Sequence, residues 1–177
     1  MTEPFLTVGH SDRGAGAFLD LLQDNTVKLV VDVRKLPGSA RYPQFDQDRL
    51  TAALATAGIG YRWSSGLTGR RPVSRDVPFA VNAWWRNRSF HNYADHTLGT
   101  EFRTALTELR RWGADDRIAV LCSEAVWWRC HRRIIADLLL AAGEDVRHIL
   151  TAGRVDPHRL SAGAVRAADG RVTYPAD

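Results

Sequence analysis

Ile118-Ala-Val-Leu-Cys-Ser-Glu-Ala-Val-Trp-Trp-Arg-Cys-His-Arg-Arg-Ile-Ile-Ala-Asp-Leu-Leu-Leu-Ala-Ala-Gly143 is the stretch from which the fold can be read. Its first four residues form a short apolar run with two β-branched members, the pattern of a buried strand. From Arg129 the period becomes helical: Ile134, Ile135, Leu138, Leu139 and Ala142 share one face, and Gly143 is the natural stop. The reading predicts a strand ending at Cys122, then a helix over 129–142 with Cys130 buried in its first turn. A thiol that leaves a strand and faces a helix N-terminus is where a thiolate forms most easily, because unpaired N–H groups and nearby arginines favour the anion. On this reading Cys122 borders a pocket and Cys130 is sealed on the apolar side of the helix.

Working outward, Phe5–Val8 and Val27–Val33 read as strands, the second apolar on both faces as a central parallel strand is. Ser11 is placed to cap a helix carrying Phe18, Leu19, Leu21 and Leu22, and Asp46 a helix carrying Leu50, Ala53, Leu54 and Ala57 up to Gly58. Ile59–Trp63 is a third strand and Val146–Leu150 a fifth, with a helix from Thr100 to Trp112 between them. Residues 64–99 break the rhythm and read as a long inserted loop, its aromatics interleaved with Arg86, Arg88 and His91, able to serve as a lid or to cover a sheet edge. Asp156-Pro157 predicts a short helix, and Asp169-Gly170 a hairpin between Val165 and Tyr174.

Strands alternating with helices imply a single-domain, Rossmann-like, doubly wound α/β fold with a mostly parallel sheet of about five strands. Residues 1–150 are expected to form that domain, with 151–177 a C-terminal extension packed on it. Ligands of such sheets bind outside the carboxyl ends of the strands. Gly9-His10-Ser11, Asp32-Val33-Arg34 and Cys122-Ser123-Glu124 all fall there and are expected to converge on one crevice.

Composition narrows the setting. At 177 residues the length fits one domain, able to bury about 70% of its unfolded surface. Net charge is +4, and of 24 basic residues only Lys28 and Lys35 are not arginine. Arginine offers a rigid fork of donors for planar or anionic groups. Two cysteines and no N-terminal apolar signal stretch point to a reduced, cytoplasmic setting, and no run reaches the length of a membrane span. Neither a phosphate loop, a dinucleotide glycine fingerprint nor paired cysteines for structural zinc is present.

The motifs Gly9-His10-Ser11, Asp32-Val33-Arg34 with Pro37 and Ser39, Tyr93-Ala94-Asp95, and Cys122-Ser-Glu124 followed by Cys130-His131-Arg132 resemble the bacterial domain-of-unknown-function family 488. The likeness covers roughly residues 5–150 and implies a compact α/β domain without an assigned activity. A weaker resemblance is to rhodaneses and cysteine-dependent phosphatases, which share an Asp-Val-Arg strand end and a strand-borne cysteine whose loop returns through arginine to a helix. The segment Ser123–Trp128 departs from them in holding no glycine, and its two tryptophans suit a stacked or apolar ligand better than a bare oxyanion.

The leading expectation is a small cytoplasmic enzyme using Cys122 as nucleophile or sulfur carrier on an anionic or planar small molecule. Arg129 and Arg132 would hold the anion, with one of them paired to an acidic side chain or the ligand. His10 or His131 would move protons, and Glu124 and Asp32 would orient the histidine and arginines. Ser11, Arg34 and Trp128 complete the predicted binding set; the cofactor, if there is one, is left open. Three alternatives stand beside it. A nucleic-acid or nucleotide binding module would stack bases on Trp84, Trp85, Trp127 and Trp128. A metal site could draw on His10, Cys122, Cys130 and His131, or both cysteines could be inert in the core.

Overall fold

The computed structural model describes residues 2–177. In chain order it contains β1 (Phe5–Gly9), α1 (Ala15–Asp24), β2 (Leu29–Asp32), α2 (Gln47–Thr56), β3 (Gly60–Trp63), α3 (Arg88–Thr97), α4 (Thr100–Asp115), β4 (Ile118–Cys122), α5 (Arg132–Ala141), β5 (Val146–Thr151), β6 (Arg154–Pro157), β7 (Val165–Arg166) and β8 (Val172–Thr173). Six strands form one sheet in the order β3-β2-β4-β1-β5-β6. All neighbours pair in parallel except β5 and β6, which are antiparallel. The fold is therefore Rossmann-like α/β, with one strand more than the expected five.

Both faces of the sheet are covered, which is why β1, β2 and β4 are buried at every position. Alternation sends Leu6, Val8, Val30 and Leu121 to one face, where they meet Phe18 and Leu22 of α1 and Leu50 and Leu54 of α2. Val31, Val120 and Cys122 go to the other, against Tyr93 of α3, Phe102 and Leu109 of α4 and Ile134 and Leu138 of α5. Gly113 of α4 lies against β1, since a Cβ there would stand 2.2 Å from the Phe5 ring.

Several local expectations give way to tertiary constraints. Residues 64–99 are not an open loop: they hold short 3-10 turns at Ser65–Leu67 and Phe79–Asn82 and then α3, capped by the Asn87 side chain on the N–H groups of Ser89 and Phe90. The Tyr93 hydroxyl donates to the Leu67 carbonyl at 2.7 Å, so the insert is tied to itself as well as to α4 and α5. Ser11 caps nothing. It adopts φ 50°, and α1 starts four residues later behind Gly14. Asp46 precedes α2 without a side-chain cap bond, because its carboxylate accepts the Ser39 N–H. Helix α4 starts at Thr100 and runs three residues past Trp112, to Asp115. Asp156-Pro157 belongs to strand β6, which Gly153 at φ 77° turns back along β5. The hairpin of β7 and β8 forms around Gly170 at φ 87°. Among the described residues no helix is long and apolar enough to cross a membrane.

Candidate functional site

Register brings the predicted strand ends together. Gly9 pairs with Cys122 and Asp32 with Leu121, and beyond the last pairs the His10 N–H donates to the Cys122 carbonyl at 3.0 Å. The Ser11 N–H likewise donates to the Ser123 carbonyl at 3.0 Å. Above these ends lies a cleft of about 540 Å³ to which His10, Arg34, Cys122, Cys130 and His131 all contribute. The loop 123–131 crosses directly over Gly9, where a Cβ would stand 1.9 Å from the Glu124 carbonyl oxygen and 2.9 Å from an Arg132 nitrogen. Replacing Gly9 with alanine is thus expected to push the loop off the sheet. Thermal unfolding should show a loss of about 1–3 kcal/mol, the range for overpacking, together with slowed thiol labelling.

The two thiols are in contact, with Sγ atoms 2.7 Å apart. This corrects the expectation that one would be sealed away and the other open. Both are buried yet both line the cleft floor. The reason is local: α5 begins at Arg132, and a 3-10 turn, Trp127–Arg129, precedes it. Cys130 therefore sits between the turn and the helix in an extended conformation (φ −127°, ψ 149°), which points it at Cys122. Arg129 consequently lies outside the helix, exposed on the cleft wall.

Arg132 is the side chain that decides the electrostatics. It is 1% exposed, and its Nη1 donates to Cys122 Sγ at 2.8 Å while Nη2 donates to the Ala125 carbonyl at 3.2 Å. Its Nε has no partner, and no carboxylate pairs with it among the described residues. The expected arginine–acid pairing is thus absent at this position, and Cys122 Sγ occupies the place a carboxylate would take. Burial alone would raise the Cys122 pKa; the Cys130 S–H and the Arg132 charge overcome it and bring it down from 9.0 to about 7. Cys130 moves the opposite way, pushed up by burial and by the neighbouring Cys122.

Asp32, 0% exposed, holds Arg34 through both carboxylate oxygens at 2.7–3.1 Å and also accepts the Tyr61 hydroxyl at 2.6 Å. Arg34 spends its remaining nitrogen on the Phe45 carbonyl at 2.8 Å and approaches His10 Nε2 at 3.4 Å. His10 donates from Nδ1 to the Ser11 carbonyl at 2.8 Å and stacks on Phe45 with centroids 4.4 Å apart. Burial, then the Arg34 charge, lowers its pKa despite the Ser11 bond. Both ring nitrogens thus face a polar partner, Nε2 the more loosely. His131 differs. Its Nε2 donates to the Val33 carbonyl at 3.2 Å, which leaves Nδ1 as an acceptor 3.7 Å from Cys130 Sγ. Burial lowers its pKa to about 4, so the ring is neutral near pH 7.

Other predicted residues are placed elsewhere. Ser11 bonds Asp12 and Trp128 is half exposed; neither lines the cleft. Glu124 reaches the cleft, but its carboxylate accepts the Val126 N–H instead of orienting an arginine. The tryptophans do not form a stacking surface: Trp85 is buried, Trp84 packs against Gly163, and Trp127 stacks on His148 at 4.1 Å with planes 4° apart. That stack anchors the cysteine loop to a buried chain in which His148 meets His158 at 2.9 Å and His158 meets Asp137 at 2.7 Å. Among the described residues no group of three or more His, Cys, Asp or Glu is arranged to hold a metal ion.

The sequence reading allowed the insert to cover the strand ends but named none of its residues for the cleft. Gly69, Arg70, Ser89 and Phe90 line it, and Lys35 joins from the β2 side. Gly69 admits the His131 ring, since a Cβ there would stand 2.8 Å from Nδ1. Arg70 holds φ 57°, a strained conformation for a side chain of its size. Only Lys35, adjacent to Arg34, carried a sequence signal; the others arrive by long-range packing.

A family described as Domain of unknown function DUF488 matches residues 15–139. No curated protein and no solved structure matches the chain.

Proposed function

Because the chain belongs to the DUF488 family, whose description assigns no activity, we propose its function from the site itself: an enzyme whose Cys122 thiolate attacks an anionic small molecule bound in the cleft. The observation that carries this reading is the buried Arg132 guanidinium, 2.8 Å from Cys122 Sγ and without a carboxylate. A buried charge lacking a partner is strongly destabilising. The thiolate supplies that partner, and it lies at the floor of a cleft open to ligands.

Substrate charge follows from the rim. Lys35, Arg70 and Arg129 are exposed around the cleft and carry no ion pair among the described residues, whereas Arg34 is consumed by Asp32. Three free cations over a low-dielectric floor favour an anion and raise its encounter rate. On this reading Arg132 sets the nucleophile, the rim cations hold the substrate, and Phe90 offers a planar apolar wall. Two free cysteines doing such work belong in a reducing compartment such as the cytoplasm.

Paired alkylating agents test the proposal. Iodoacetate is expected to label Cys122 faster relative to iodoacetamide than it labels a free cysteine, because the rim attracts the carboxylate. Labelling should slow as pH falls through about 7, where the thiolate is protonated. Equal or reversed preference would remove the anionic substrate, and a labelling midpoint near 9 would remove the thiolate.

A further inference from the structure

We propose that Cys130 resolves covalent adducts on Cys122, so that the site cycles between a dithiol and an intramolecular disulfide with an anionic small-molecule disulfide as substrate. The proposal rests on the thiolate reading of Cys122 and specifies the chemistry it serves. Its basis is position: whatever bonds to Cys122 has Cys130 Sγ only 2.7 Å from the bonded sulfur. A sulfur–sulfur bond is the adduct that a neighbouring thiol opens readily. Cys130 lies in the extended link between a 3-10 turn and α5, so less than an ångström of approach brings the pair to a covalent length of about 2.05 Å.

The steps balance as a two-electron exchange. The Cys122 thiolate attacks one sulfur of R–S–S–R; a Cys122–S–S–R bond forms and R–S⁻ leaves, taking a proton from solvent. Cys130 then loses its proton to solvent and its thiolate attacks the Cys122 sulfur 2.7 Å away. A Cys122–Cys130 bond forms and the second R–S⁻ leaves, taking a proton from solvent. The protein dithiol is oxidised and the substrate is reduced to two thiols; excess small-molecule thiol reverses the sequence. Lys35, Arg70 and Arg129 favour a disulfide bearing carboxylates.

Arg132 adds a thermodynamic direction. Oxidation removes the thiolate that neutralises it and leaves a buried guanidinium without a counter-charge. The reduced state is therefore the more stable one, and the pair acts as an oxidant. The oxidised protein is expected to melt at a lower temperature than the reduced protein.

The experiment exposes the reduced full-length chain to glutathione disulfide, which is anionic, or to cystamine, which is cationic, at equal concentration. Acid-quenched samples are read by intact-mass and peptide mass spectrometry. Wild type should lose two hydrogens and yield a linked Cys122–Cys130 peptide without retained glutathione. Cys130→Ser, or Cys130→Ala should the serine variant not fold, should accumulate one glutathione on Cys122. Glutathione disulfide should react at least tenfold faster than cystamine. A glutathione adduct that persists on wild type, or no linked peptide, overturns the resolving role. A faster reaction with cystamine overturns the anionic substrate class. Rapid alkylation of Cys122 without linkage leaves the thiolate reading standing alone; absence of both removes the two together.

Discussion

Arg132→Met is expected to slow alkylation of Cys122 at neutral pH by roughly tenfold while leaving the protein folded. The Arg132 Nη1 contact at 2.8 Å and its charge oppose the burial that would otherwise raise the thiol. With the guanidinium gone and the Cys130 bond still in place, burial acts with less opposition and the pKa climbs from about 7 toward 9.0. The thiolate fraction at pH 7 then falls from about half toward about 1%, a loss of up to about fiftyfold. A more basic thiolate is also the better nucleophile, with a Brønsted slope of about 0.4–0.5, and this offsets nearly half of the logarithmic loss. A net tenfold effect remains. The sign in pH follows: the wild-type rate rises through pH 7, and that of the variant rises only at more alkaline pH. Methionine fills much of the arginine volume, and removing the charge lets the thiol take up its proton, so stability should change little or increase. Rates measured against pH by mass spectrometry, with thermal melts beside them, decide the matter. An unchanged midpoint would mean that Arg132 is not the counter-ion.

Asp32→Asn should have the largest effect on stability, a loss of about 3–5 kcal/mol, the usual consequence of removing one partner from a buried ion pair. Asp32 is wholly buried and accepts from the Arg34 guanidinium, the Arg34 N–H and the Tyr61 hydroxyl. Asparagine keeps the shape but turns one acceptor into a donor facing donors, and it leaves the Arg34 charge without compensation. Chemical denaturation measures the loss. Adding Arg34→Met should recover part of it, because the stranded charge is then gone. A loss of less than about 1 kcal/mol in the single variant, little more than an ordinary surface substitution, would show that Arg34 finds another partner.

Much of the fold was legible because it rests on local periodicity. The β2 and β4 runs are almost wholly apolar and buried at every position since helices cover both faces, and they stand where that pattern places them. The strand-end rule then carries His10, Arg34 and Cys122 to one cleft. Caps were less legible. Ser11 and Asp46 have the right chemistry for helix starts, yet one is held at φ 50° by the sheet edge and the other is engaged by Ser39. The insert misled for a related reason: the α3 pattern is amphipathic but rich in polar and aromatic residues, and its helix is supported by contacts with α4, which follows directly, and with α5, which lies far along the chain.

By itself the sequence determined a parallel α/β sheet, two cysteines flanking a strand-to-helix loop, and an arginine-rich neighbourhood, because periodicity and adjacency are properties of neighbouring residues. Only the tertiary structure decided that the two sulfurs touch, that Arg132 rather than Arg129 faces the thiol, and that Asp32 is committed to Arg34. Those outcomes turn on where a 3-10 turn ends and α5 begins, and on Gly9 letting the loop pass over β1. The helix starts at Arg132, three residues beyond the start that periodicity placed at Arg129, so Arg129 falls outside it and the choice between the two arginines was made by packing.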